Sequence, residues 1–232
     1  MPKNERLIAA LDVRSLDEAK AMVDSLIPAV KIFKVGLGLF TLCGPAAVKM
    51  VNDKGGKVFL DLKFHDIPNT VASAVKSASD LSVFILNVHT LGGSEMMRKA
   101  AEAVKGIPAR PKILGVTILT SMDQKAINGL GIEKSVEEEV LNLAMMAREA
   151  GLDGVVASPQ ETSAIRQKLG KDFIVVTPGV RPKWAAKGDQ KRIATPAEAI
   201  RSGADYIVVG RPIIKADDPV EAARKIIEEM GN

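Results

Sequence analysis

The chain has 232 residues, of which 47% are apolar and 26% charged, the ordinary balance of a globular protein that buries a sizeable core. Aromatic residues make up only 3%, so that core must be aliphatic. The net charge of +4 comes from lysines scattered among glutamates, without a basic stripe interleaved with aromatics; this argues against nucleic acid as a partner and is compatible with a small anionic substrate.

Along the chain, short β-branched runs alternate with longer helical patterns. The predicted strands are Leu7–Val13, Ile32–Leu37, Lys57–Lys63, Val83–Thr90, Lys112–Thr120, Gly154–Ser158, Phe173–Thr177 and Tyr206–Gly210. Amphipathic helices are predicted over Leu16–Leu26, Val136–Ala150 and Val220–Met230. Capping-box spacing marks helix starts at Ser15/Glu18, Ser135/Glu138, Ser158/Glu161, Thr195/Glu198 and Asp218/Glu221. Pro159, Pro196 and Pro219 fall at the first helical position of three of these, where a missing N–H costs nothing. Eight such units with no linker or composition break predict one α/β domain over residues 1–232, a closed (β/α)₈ TIM barrel. An open doubly wound sheet is disfavoured, because no G-x-G-x-x-G follows the first strand.

In such a barrel the active site lies at the C-terminal strand ends. Read there, the sequence offers Asp12, Lys34, Asp61, Lys63, His89, Thr120, Ser158, the run Thr177-Pro178-Gly179-Val180-Arg181, and Gly210-Arg211. Charges that close apolar strands are costly unless they pair or act. Asp61 and Lys63 are two apart, so strand alternation places them on one face, and Asp66 follows just past the strand end. With Lys34 from the preceding strand they form the alternating array Lys34, Asp61, Lys63, Asp66, in which each charge has opposite neighbours; a lysine held protonated in this way is a general acid. A Mg²⁺ site at the aspartates is disfavoured by the interleaved lysines, and a Schiff base at Lys63 by carboxylates that would raise its pKa. After the seventh and eighth strands, Gly179 and Arg181, then Gly210 and Arg211, supply the close backbone N–H groups and charged donors that hold a phosphate. The polar segment between Arg181 and Thr195 is long enough for a closing lid. His65 and His89 are the only histidines and are read as structural.

The run Asp61-Leu62-Lys63-Phe64-His65-Asp66-Ile67-Pro68-Asn69-Thr70 resembles the signature of the orotidine 5'-monophosphate decarboxylases. LDV, FKVGL, VTILTS, TPGVRP and VVGRPI extend that resemblance, in order, over essentially the whole chain. It implies a metal-free enzyme with no cofactor, which converts orotidine 5'-monophosphate to UMP and carbon dioxide. It also implies roles for individual residues. Asp12 and Lys34 hold the ribose hydroxyls, Asp61 faces the substrate carboxylate, and Lys63 protonates C6. Thr120 lies at the pyrimidine edge, with Ser121 beside it, while Arg181, Gln190, Gly210 and Arg211 grip the phosphate. Asp66 and Thr70 resemble residues that such enzymes lend to a neighbouring subunit, which implies a homodimer.

Mg²⁺-dependent keto-gulonate-phosphate decarboxylases and hexulose-phosphate synthases share the Asp-x-Lys-x-x-Asp pattern. They typically carry a glutamate where this chain has Lys34. A non-catalytic nucleotide-binding barrel is the alternative of another class, and it would need no such charge array. Cys43 stands alone, which excludes an intrachain disulfide. No uncharged apolar run reaches the ~18 residues that span a bilayer. The opening MPKNERLIAALDV is a poor signal peptide, so the expected location is the cytoplasm.

Overall fold

A computed structural model describes residues 3–185 and 194–231. Eight parallel strands close in sequence order: β1 (Leu7–Ala10), β2 (Ile32–Gly36), β3 (Lys57–Phe64), β4 (Ile85–His89), β5 (Lys112–Val116), β6 (Gly154–Val156), β7 (Ile174–Thr177) and β8 (Tyr206–Val209), with β8 pairing back to β1. The helices lie between them: α1 (Leu16–Leu26), α2 (Leu37–Cys43), α3 (Pro45–Asp53), α4 (Pro68–Ser79), α5 (Gly93–Ala103), α6 (Gln124–Asn128), α7 (Val136–Glu149), α8 (Thr162–Leu169), α9 (Pro196–Arg201), α10 (Arg211–Ile214) and α11 (Pro219–Glu229). This is the (β/α)₈ barrel that the alternating pattern predicts.

Two apolar layers follow from strand alternation. Ile8, Ala10, Ile32, Phe59, Ile85, Leu114, Val176, Tyr206 and Val208 pack inside the barrel. The opposite faces of the same strands meet the helices in a larger core that includes Leu7, Phe33, Leu60, Leu86 and Ile207. The inner plug fills the lower barrel and leaves the C-terminal end for polar groups. One inward position further along, two residues after Ala10, Ile32, Phe59 and Ile85, stand Asp12, Lys34, Asp61 and Asn87.

The predicted strand ends are too long at several places, because the chain leaves the ladder as soon as its partner does. β5 stops at Val116, so Thr120 lies in the loop beyond, and β1 stops at Ala10. Ser135/Glu138 and Thr195/Glu198 form complete capping boxes. Ser15 and Asp218 cap through one bond each, and at the first of these Glu18 turns instead to the N–H of Arg14 at 2.9 Å. The Ser158/Glu161 box is not formed. The Ser158 hydroxyl accepts from Gln160, residues 159–161 make a turn, and α8 starts at Thr162, so Pro159 is not its first residue. Thr162 donates to the Ser158 carbonyl at 3.0 Å, which anchors the later start.

Candidate active site

Asp61 is the centre of the polar cluster. Its Oδ1 accepts from Lys63 Nζ at 2.7 Å and from Asn87 Nδ2 at 2.7 Å, while its Oδ2 lies 3.5 Å from Lys34 Nζ. The same Lys34 ammonium donates to Asp12 Oδ1 at 3.3 Å. Four charges of alternating sign thus run across the loop after β1 and the strands β2 and β3, in the order Asp12, Lys34, Asp61, Lys63. Burial alone would push the Asp61 carboxyl up, but the two lysine ammonium groups and the hydrogen bonds from Lys63 and Asn87 outweigh it and hold it below the usual carboxylate range.

Local structure sets these positions. Gly36 leaves the room that the Lys34 ammonium occupies, since a Cβ there would stand 2.7 Å from Nζ. The pairing of β3 with β4 slips between Leu60↔Leu86 and Phe64↔Val88, so that extra residues of β3 bulge out of the ladder. Lys63 sits in that bulge with φ 51°, a conformation rare for a residue with a side chain. Asp61 and Lys63 do meet on one side, as their spacing predicts, but through this kink rather than through regular alternation.

Beside the cluster is a cavity of about 300 Å³. Lys34, Asp61 and Lys63 form its charged wall, Val116, Ile118, Val156 and Val208 an apolar one, and Thr120 and Ser121 part of its edge. One end of the space is therefore strongly polar and the other greasy, the shape of a site for a flat ring that carries a charged substituent.

Arg181 and Arg211 enter from the last two loops. Arg181 is buried at 8% exposure; its backbone N–H donates to Ala194 and its Nη1 to Val180. Gly210 packs against Asp12, where a Cβ would stand only 3.2 Å from Oδ2, and Arg211 opens α10 directly after it. Gln190 lies outside the described residues, as does most of the segment read as a lid. Asp66 and Thr70 are exposed at the start of α4, and Asp66 accepts from the N–H of Ile67 at 2.6 Å. Within one chain, Asp66 therefore does not join the array as the sequence suggests.

Ser158 and Thr177 are fully buried and engaged locally, Thr177 with the Thr162 hydroxyl at 3.3 Å. The two histidines stack at 5.4 Å, and His89 Nδ1 accepts from Leu91. Asn87 is the residue that strand-end reading misses. It lies inside β4 rather than at its tip; the available signal was an amide at the inward position two residues after Ile85. Among the described residues, no three His, Cys, Asp or Glu side chains are grouped to hold a metal ion.

The sequence model of the "Orotidine 5'-phosphate decarboxylase / HUMPS family" matches residues 5–226. The orotidine 5'-phosphate decarboxylase of Geobacter sp. (strain M21) is 53% identical over 230 residues, 97% of this chain and 96% of its own. That of Geotalea uraniireducens (strain Rf4) is 55% identical over 229 residues, covering 97% of this chain and 95% of its own. The crystal structure of orotidine 5'-phosphate decarboxylase from Lactobacillus acidophilus superposes with a TM-score of 0.86 at 39% identity, over 98% of this chain and 100% of that one.

Proposed function

The chain belongs to the orotidine 5'-phosphate decarboxylase / HUMPS family, and on that premise we propose that it decarboxylates orotidine 5'-monophosphate to UMP, a step of de novo pyrimidine biosynthesis. The observation that carries the reading is the unbroken series Asp12, Lys34, Asp61, Lys63, of which the last three form one wall of the cavity. The substrate's pyrimidine ring lies against Val116, Ile118 and Val208, with Thr120 at its edge. Asp12 and Lys34 hold the ribose hydroxyls. Arg181, Gln190, Gly210 and Arg211 take the phosphate. Its binding energy is remote from the reacting carbon and serves to close and organise the site.

Breaking the bond between C6 and the carboxylate leaves the electron pair on C6, with no conjugated sink to receive it. The Lys63 ammonium, fixed 2.7 Å from Asp61, stabilises that carbanion as it forms and then transfers a proton to C6. Carbon dioxide departs, and Lys63 regains its proton from solvent. Asp61 faces the departing carboxylate and keeps the ammonium oriented.

The chain carries a lysine at position 34 where the magnesium-dependent sugar-phosphate relatives carry a carboxylate, which supports the metal-free route. A non-catalytic barrel has no use for two partly buried lysine–aspartate contacts. The active unit in this proposal is a homodimer. Leu37, Ile67 and Leu91, exposed at 57%, 68% and 42%, crown the ends of β2, β3 and β4 beside Asp66 and Thr70, and a second copy that covers them brings those two residues to its partner's site. The setting proposed is the cytoplasm, and no described helix is long and apolar enough to cross a membrane.

The deciding experiment follows the ultraviolet absorbance of orotidine 5'-monophosphate after adding protein, with and without EDTA. A spectral shift to UMP that EDTA leaves unchanged is the expected result. No shift with folded protein refutes the activity, and a shift abolished by EDTA refutes the metal-free route.

A further inference from the structure

We infer that Asn87 is a positioning residue for the reaction: its side-chain amide holds the Asp61 carboxylate and the Lys63 backbone in the geometry from which the proton is delivered. The inference rests on the reading of Lys63 as proton donor, and it concerns how that donor is aimed.

The bulge in β3 creates the need. Between Leu60 and Phe64 the regular ladder to β4 is interrupted, so the backbone N–H of Lys63 has no strand carbonyl opposite it. Asn87 Oδ1 accepts that N–H at 2.8 Å. At the other end of the same amide, Nδ2 donates to Asp61 Oδ1 at 2.7 Å, the oxygen that also accepts from Lys63 Nζ. The result is a closed ring of hydrogen bonds: Lys63 backbone, Asn87 amide, Asp61 carboxylate, Lys63 ammonium.

The partners dictate the orientation of the amide, since a backbone N–H only donates and an ionised carboxylate only accepts. Position 87 must therefore supply one acceptor and one donor from a single short side chain. Leucine supplies neither and aspartate lacks the donor when ionised. Asn87 has 0% exposure and does not line the cavity, so it acts through Asp61 and Lys63 rather than on substrate. It also fixes Lys63 in its left-handed backbone conformation, which determines where the ammonium points.

The test compares wild type, Asn87→Ala, Asn87→Asp and, as a separate control, Lys63→Ala, with circular dichroism confirming each fold. For N87A we expect kcat to fall roughly 100-fold, because a displacement of about an ångström at the proton donor is enough for that loss, while KM stays within about threefold. N87D keeps the acceptor for Lys63 but sets a second carboxylate against Asp61. The charged groups facing position 87 are Asp61 and Lys63 from β3, Lys34 behind Asp61, and His89 further along β4, whereas its β5 neighbours Leu114 and Val116 are uncharged. Two such carboxylates share a proton, and the protonated form of residue 87 donates to Asp61 as the amide did. The kcat of N87D is thus expected to recover by about tenfold or more between about pH 8 and about pH 5.5, unlike that of wild type.

A kcat for N87A within about threefold of wild type overturns the inference, as does an N87D deficit that is equal at every pH. If N87A does not fold, the near-isosteric N87D decides alone. If Lys63→Ala turns over like wild type, the assignment of the proton donor fails instead, and the two failures are distinguishable.

Discussion

Lys63, the proposed proton donor, sits in a backbone conformation that its own side chain disfavours, and the surrounding bonds hold it there. Replacing Lys63 with alanine removes from the cavity wall the ammonium that the proposed mechanism sets opposite C6. Turnover is therefore expected to fall by at least about 10³-fold with the fold retained, and single-turnover assays on folded protein check this; near-normal turnover refutes the role. His89 carries a second prediction. Burial, then the neighbouring His65 and Lys63 charges, lower its pKa from 6.5 to about 4. Because the folded state prefers the neutral ring, its contribution is complete above the unfolded value near 6.5 and is lost as pH falls toward 4. The full shift corresponds to about 3 kcal/mol, which water around the half-buried ring reduces to about 1–2 kcal/mol. Denaturant titrations at several pH values should show a shallower loss of stability between pH 6.5 and 4 for His89→Gln than for wild type; parallel curves dismiss the idea.

Among the elements, the short helices depend most on their ends, since few internal bonds support them. α9 spans Pro196–Arg201 and starts with a complete capping box: the Thr195 hydroxyl accepts from the Glu198 N–H at 3.3 Å, and the Glu198 carboxylate accepts from the Thr195 N–H at 2.8 Å. Thr195→Ala is expected to cost about 1 kcal/mol, measured as a lower urea midpoint with unchanged slope; an unshifted midpoint shows that packing alone sets this helix start. The neighbouring box predicted at Ser158 shows why motif spacing has to be read with its context. There the serine and threonine hydroxyls bond within the turn, and that competing local bond delays the helix by one turn.

At the scale of the whole molecule, the barrel places its apolar plug below and its charges above, and the exposed apolar crown lies beside Asp66. If two copies pair through that crown, Asp66 completes the partner's site. Mixing Lys63→Ala with Asp66→Asn, each inactive alone, then produces hybrid dimers with one intact site, and random exchange restores about a quarter of the wild-type activity. A mixture that exchanges subunits yet remains inactive places Asp66 in its own chain's site.

The closed barrel, the resident charges Asp12, Lys34, Asp61 and Lys63, and the glycine–arginine pairs of the last two loops were all legible in the sequence. Strand alternation and turn chemistry are local properties, and a charge at the end of an apolar run is visible in one dimension. The tertiary structure alone decided three things. Asn87 became part of the site because a side chain inside β4 reaches across to a bulge in β3, and neither strand's pattern records the slip between them. Asp66 left the array because the chain turns outward after Phe64 and its carboxylate caps the next N–H. Gly36 matters because the ammonium of Lys34 fills the space beside it. Such pairings depend on where two strands stop matching, and that is settled only when the sheet closes and every strand must fit both neighbours at once.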